Sequence, residues 1–139
     1  GPIWDFNLAG GNLNFYGMAS PKGWAYKKKY SIIKPIFWFR TIMKNPLFKK
    51  ELQKTYQQLR QVGSPFSEDF LLKSIDDMVV QLGEAAHRDQ DRWKGSYNLV
   101  EKYIFNTKNR SSHHSFQVGA LKTWLIARLR WMDHHILKI

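Results

Sequence analysis

The chain has 139 residues and carries 22 Lys and Arg against 11 Asp and Glu, a formal charge of +11 on a length that suits one domain. Hydrophobic residues make up 43% and aromatics 15%, which excludes a disordered chain, and a mean hydropathy of −0.49 with no long apolar run excludes a spanning helix. Cysteine is absent, so disulfides, thiolate chemistry and cysteine-bound zinc are excluded, and the compartment stays open.

The opening Gly1-Pro2-Ile3-Trp4-Asp5-Phe6-Asn7-Leu8 has neither an initiator Met nor the charged and apolar regions of a signal peptide. Apolar and polar residues alternate from 3 to 8, which predicts a short strand, and Gly10-Gly11-Asn12 breaks it. A strand in this place needs a neighbour. The expectation is therefore a fragment, or a processed piece, of a longer protein. Residues 1–34 read as a strand and loop segment that ends in the basic run Lys27-Lys28-Lys29, and 35–139 as a helical bundle.

Pro35 opens a short helix through about Lys44, with Ile36, Phe39 and Met43 on one side. Asn45-Pro46 restarts the helix, with Asn as N-cap and Pro at the first helical position. Phe48, Leu52, Tyr56, Leu59 and Val62 then recur at helical spacing up to Gly63, the expected C-cap. Ser64-Pro65 makes a turn and Ser67 caps the next helix, with Glu68 and Asp69 at the positive end of its dipole. The stripe Leu71, Ile75, Met78, Val79, Leu82, Ala86 and Trp93 predicts one long amphipathic helix. A short helix is expected around Tyr97–Phe105, and 106–112 read as a basic loop. Ser115 caps a last helix reaching about His135, apolar on more than one face and so expected at the centre of the bundle.

Charge is unevenly placed along these elements. Residues 67–93 hold seven acids against three bases, a net −4, which leaves 19 bases and four acids, net +15, elsewhere. Such a surface suits nucleic acid, anionic lipid or an acidic partner, or simply solvent. Nucleic acid is the weaker expectation, because aromatic residues at helical spacing, here as in the stretch after Lys27–Tyr30, usually build core.

Asp5 is the acid that draws notice, lying in an apolar strand just before a glycine bend. A carboxylate there is either capped or ion-paired, or it ligates a hard cation such as magnesium. Glu84-x-x-His87 has the helical spacing of one half of a carboxylate-bridged metal pair, but the second such motif and its further glutamates are missing, so it reads as a surface pair. The adjacent pairs His113-His114 and His134-His135 diverge on a helix and make poor zinc ligands. No nucleophile elbow, P-loop or dinucleotide fingerprint is present.

Taken together, four blocks resemble the C-terminal part of the CotH-type spore-coat protein kinase family. Residues 1–12 resemble its GP-x-WDFD-L-x-FGN stretch, and Trp38-Phe39 through Asn45-Pro46-x-Phe48 with Leu52 and Leu59-Arg60 resembles its paired helices. Ala85-Ala86-His87-Arg88 with Arg92-Trp93 is similar to its "AA.R…RW" segment. Leu121-Lys122-x-Trp124-Leu125-x-x-Arg128-x-x-Trp131-Met132-Asp133 resembles its closing "LK.WL..R..WMD" helix. The resemblance implies a mainly α, C-lobe-like bundle with a short N-terminal strand, part of an atypical protein-kinase-like fold that uses ATP with Mg or Mn on Ser or Thr of protein substrates. It puts the metal-holding acid on Asp5. The family's second acid is Asn7 here, an oxygen donor without charge, and Gly10 stands where the family has an aromatic.

The phosphate-covering loop, strand Lys and catalytic base of phosphoryl transfer are not in the chain. The expectation is thus a segment without catalysis of its own, whose first partner is an N-terminal lobe of the same protein. Arg88, Arg92, Trp93, Trp124, Arg128, Trp131 and Asp133 are then structural residues. By the resemblance, the location is the bacterial surface, the exterior or a spore coat. The rival expectations are a non-catalytic interaction module of a surface or coat protein, and a basic anion or nucleic-acid binder.

Overall fold

The computed structural model describes residues 9–12, 19–27, 37–93 and 113–139, and these hold five α-helices, two single 3-10 turns and no strand. The strand expected over 3–8 and the helix expected over 97–105 lie outside the described residues. Helix α1 is Phe37–Ile42, α2 Pro46–Leu59, α3 Glu68–Leu82, α4 Glu84–Trp93 and α5 His114–His135.

The start of α2 follows its sequence signals. The Asn45 side chain accepts from the backbone N–H groups of Leu47 at 2.9 Å and Phe48 at 3.3 Å, and Pro46 occupies the first turn, where its missing N–H is not needed. The end differs from expectation. The helix stops at Leu59, Arg60 is the C-cap in right-handed conformation, and Val62 is 93% exposed. Gly63 (φ +76°) sits instead within the turn to α3. That turn is closed by Ser64 N–H to Gln61 O, Phe66 N–H to Leu59 O and Ser67 N–H to Ser64 O. Its hydrogen bonds replace helical ones, so the apolar spacing runs past the last helical residue.

Ser67 caps α3 as expected: it is buried, its hydroxyl accepts from Phe70 N–H at 3.3 Å and donates to Ser64 O at 2.8 Å. The single long helix expected from 67 to 93 is two helices. Gly83 takes φ +43°, a left-handed value that ends α3, and α4 begins at the next residue. Periodicity could not register this, because one left-handed residue changes the axis and leaves the apolar spacing on either side intact.

Ser115 does not cap α5. His113 is the N-cap, with extended backbone and no side-chain capping bond, and Ser115 lies in the first turn. The expected central place of α5 holds among the described residues, since it packs against α3 and α4 and leads into the 3-10 turn Ile136–Lys138, which packs on α2. Among the described residues four apolar side chains are buried: Met43, Tyr56, Leu129 and Ile136. Each contributes about 1.5–3 kcal/mol.

Candidate functional site

Two faces of α5 carry the side chains that tie the remaining segments together. Leu121, Trp124, Arg128 and Trp131 are spaced by three and four residues and so share one side of the helix. Against this side lies the turn Ala9-Gly10-Gly11-Asn12, closed by Asn12 N–H to Ala9 O at 3.1 Å. Both central residues have positive φ, +61° and +87°, the pattern of the tight turns that suit two-residue hairpin loops. The glycines serve a second purpose, close approach. A Cβ on Gly10 would fall 2.6 Å from the Leu121 methyl, and one on Gly11 would enter the Trp124 indole.

Further along the same side, Trp124 Nε1 donates to Ala19 O at 2.7 Å. Arg128 Nη1 donates to Pro21 O at 2.9 Å and Gly23 O at 2.7 Å. Its guanidinium carbon lies 5.4 Å from the Trp24 ring and 5.0 Å from the Trp131 ring, within cation–π range of both. Trp24 meets Trp131 edge-on at 5.0 Å, and Trp131 stacks on His135 at 4.1 Å. Burial lowers the Arg128 pKa from its usual value, yet guanidinium keeps its charge in proteins. A charged Arg fits here because backbone carbonyls and ring faces, all electron-rich, replace its water.

The other side of α5 presents Lys122, Arg130 and Asp133. Asp133 binds Arg60 bidentately, Nε to Oδ1 at 2.8 Å and Nη2 to Oδ2 at 2.7 Å, and accepts from the Tyr56 hydroxyl at 2.8 Å. Arg60 also donates to Phe66 O at 2.6 Å, so one guanidinium clamps the end of α2, the turn after it and α5. Arg130 pairs bidentately with Glu68 at 3.1 and 2.9 Å, and Lys122 pairs with Asp76. Burial opposes ionisation of Asp133, but the bonds from Arg60 and Tyr56 outweigh it and hold the carboxyl below its usual range. Glu68 is lowered chiefly by Arg130. Tyr56 is pushed up, first by burial and then by its bond to Asp133.

Of the residues singled out from sequence, Trp124, Arg128 and Trp131 come together in one seam, and Asp133 lies on the opposite side of the same helix. Arg88 and Trp93 are exposed on α4, with Arg92 over the Trp93 ring at 5.4 Å. Glu84 and His87 are exposed on α4 as well. Asp5 and Asn7 lie outside the described residues, so the implied metal position has no geometry to report. Among the described residues no three His, Asp or Glu lie together as a metal cage, and no helix is long and apolar enough to cross a membrane.

The sequence put Tyr56 on the apolar face of α2 and Glu68 in the first turn of α3 without indicating a polar partner for either, and it did not single out Trp24 or Arg130. Arg60 stood only as a matching position.

A protein-family model described as CotH kinase protein matches residues 1–132. No curated protein and no solved structure matches the chain.

Proposed function

The chain belongs to the CotH kinase family, and from that membership we propose that it is the helical, C-lobe-like part of an atypical protein kinase acting on Ser or Thr of surface or coat proteins with ATP and Mg or Mn. The observation that carries this reading is the extent of the family match, which runs from the Asp5 segment through the closing helix. Asp5 is the metal-holding acid and Asn7 its neighbour. Their carboxylate and amide oxygens suit a hard cation, with one negative charge fewer than two acids would give.

A metal held there supplies neutralisation of phosphate charge during transfer. The chain's own contribution is positioning. The 9–12 turn follows Asp5 by four residues, and it is seated on Leu121 and Trp124 of α5, a rigid two-faced helix. Several large apolar side chains stay open, among them Leu47, Met78 and Val80, at 76%, 62% and 79% exposure. Such surface supports a further lobe as the first partner.

The test is Asp5→Ala in the intact protein. Metal-dependent autophosphorylation and ATP hydrolysis should be lost while the fold persists. Undiminished activity in that variant sinks the role of Asp5. A second reading, a non-catalytic interaction module, is favoured by Asn7 in place of the second acid. Calorimetric titration of the intact protein with Mg-ATP or Mn-ATP separates the two, since only the kinase reading expects metal-dependent nucleotide binding.

A further inference from the structure

One edge of the Trp124 indole touches two segments at once. Gly11 rests so close to it that a Cβ there would overlap both Cδ1 and Nε1, and the same Nε1 donates to Ala19 O at 2.7 Å. Gly11 and Ala19 are eight residues apart, so a single side chain sets the place of one relative to the other. Indole suits that task. It is flat and rigid and has one donor, so the bond to Ala19 fixes the tilt of the ring, and the ring in turn fixes the seat of the turn. Leu121 extends the seat under Gly10, and Arg128 continues the hold on the second run through Pro21 O and Gly23 O.

The run that enters this turn is the Asp5 segment. An extended chain spans at most about 3.6 Å per residue, so the Asp5 backbone lies within about 14 Å of Ala9 and that of Asn7 within about 7 Å. On tethers this short, a turn free to shift lets both oxygen donors shift with it, and a seated turn narrows their range. Groups that orient metal ligands without touching the metal commonly change its affinity by about 10- to 100-fold.

We propose that Trp124 is a positioning residue for the metal-holding segment: by seating Gly11 and tying Ala19 to the same indole edge, it sets where Asp5 and Asn7 present their oxygens. The inference rests on the reading of Asp5 given above, and it assigns no contact between Trp124 and the metal.

The experiment titrates Mn2+ into the intact protein, with and without a non-hydrolysable ATP analogue, and follows free Mn2+ by its paramagnetic resonance signal, a readout independent of turnover. Urea midpoints taken alongside ensure that every variant is compared as folded protein. Trp124→Phe keeps a ring under Gly11 and removes the donor to Ala19 O, and Mn2+ affinity should fall about tenfold. Gly10→Ala pushes the turn away from the Leu121 methyl and should weaken binding to a similar degree. Asp133→Asn breaks the clamp on the opposite side of α5, and its Mn2+ affinity should stay within about twofold even though the fold is destabilised. Asp5→Ala should abolish binding. Loss in Asp5→Ala with unchanged affinity in Trp124→Phe and Gly10→Ala would overturn this inference and leave the role of Asp5 standing. Equal weakening in those two variants and in Asp133→Asn would show a general loosening of the fold and overturn it as well. An intact protein that holds no Mn2+, or holds it equally well as Asp5→Ala, removes the role of Asp5 and this inference with it.

Discussion

Replacing Asp133 with Asn keeps the shape of the side chain and removes its charge. Three bonds are affected: two from Arg60 and one from the Tyr56 hydroxyl. The amide can still accept one of them, but its NH2 then faces an N–H of the guanidinium, donor against donor. Hydrogen bonds to charged groups contribute about 1.5–3 kcal/mol each, and removing one member of a buried ion pair costs about 3–5 kcal/mol. The pair is only partly buried, with side-chain exposures of 19% for Arg60 and 34% for Asp133, so solvent takes up part of that loss. The expected destabilisation is about 2 kcal/mol, or a Tm lower by roughly 5–8 °C at this chain length. Urea unfolding followed by tryptophan fluorescence measures it, and a double-mutant cycle with Arg60→Met isolates the pair. Its coupling should exceed about 1 kcal/mol. A loss below about 0.5 kcal/mol with no coupling would refute the view that this clamp, rather than apolar contact alone, fastens α5 to α2.

Gly11→Ala should destabilise by roughly 2–3 kcal/mol, about 1 from left-handed backbone and the rest from collision with the Trp124 indole, whereas Gly63→Ala, with φ +76° and open space around it, should cost only about 1. Equal effects at the two sites, read from urea midpoints, would deny the close approach of the 9–12 turn to α5. Acid should unfold the chain through its clamps. Glu68 and Asp133 have lowered pKa values, so the stability they add is whole above the ordinary carboxylate range and is lost as pH falls through the lowered values. Tyr56 is raised, so its contribution is whole below pH 10 and is lost at still higher pH. Urea midpoints should be level near neutrality, fall below about pH 4.5 and fall less in Asp133→Asn; midpoints that climb on acidification contradict the assignment.

Local chemistry was readable and distant chemistry was not. Asn45 and Ser67 act on N–H groups two or three residues away, so side-chain type and spacing sufficed to find both caps. Gly83 and Gly63 were ambiguous because glycine tolerates both a helix and its end, and only the backbone angle decides. His113 caps α5 without a side-chain bond, so no side-chain signal marks the place, and the better capping residue two positions on misled. The Arg60–Asp133 clamp joins residues 73 apart, and the bond from Trp124 to Ala19 joins residues 105 apart. No periodicity encodes such pairs. The family blocks did hold their members, Leu59-Arg60 in one and Trp124 to Asp133 in another, but gave no means of telling which residue faces which.

The reliance of so many segments on α5 bears on how the protein is made. The glycine turn, the segment after Ala19, the end of α2 and the start of α3 each find a partner on a helix that begins at His114. A ribosome delivers those segments well before it delivers their partner. Until α5 emerges, α2 and α3 can form as local helices, but their apolar faces and the Trp24 ring have no place to go. Folding of this region is therefore postponed until α5 has been made, with contacts of long separation closing late and slowly. During that interval the nascent chain is a natural client for chaperones, and a ribosome stalled before Trp124 would release a product destined for proteolysis.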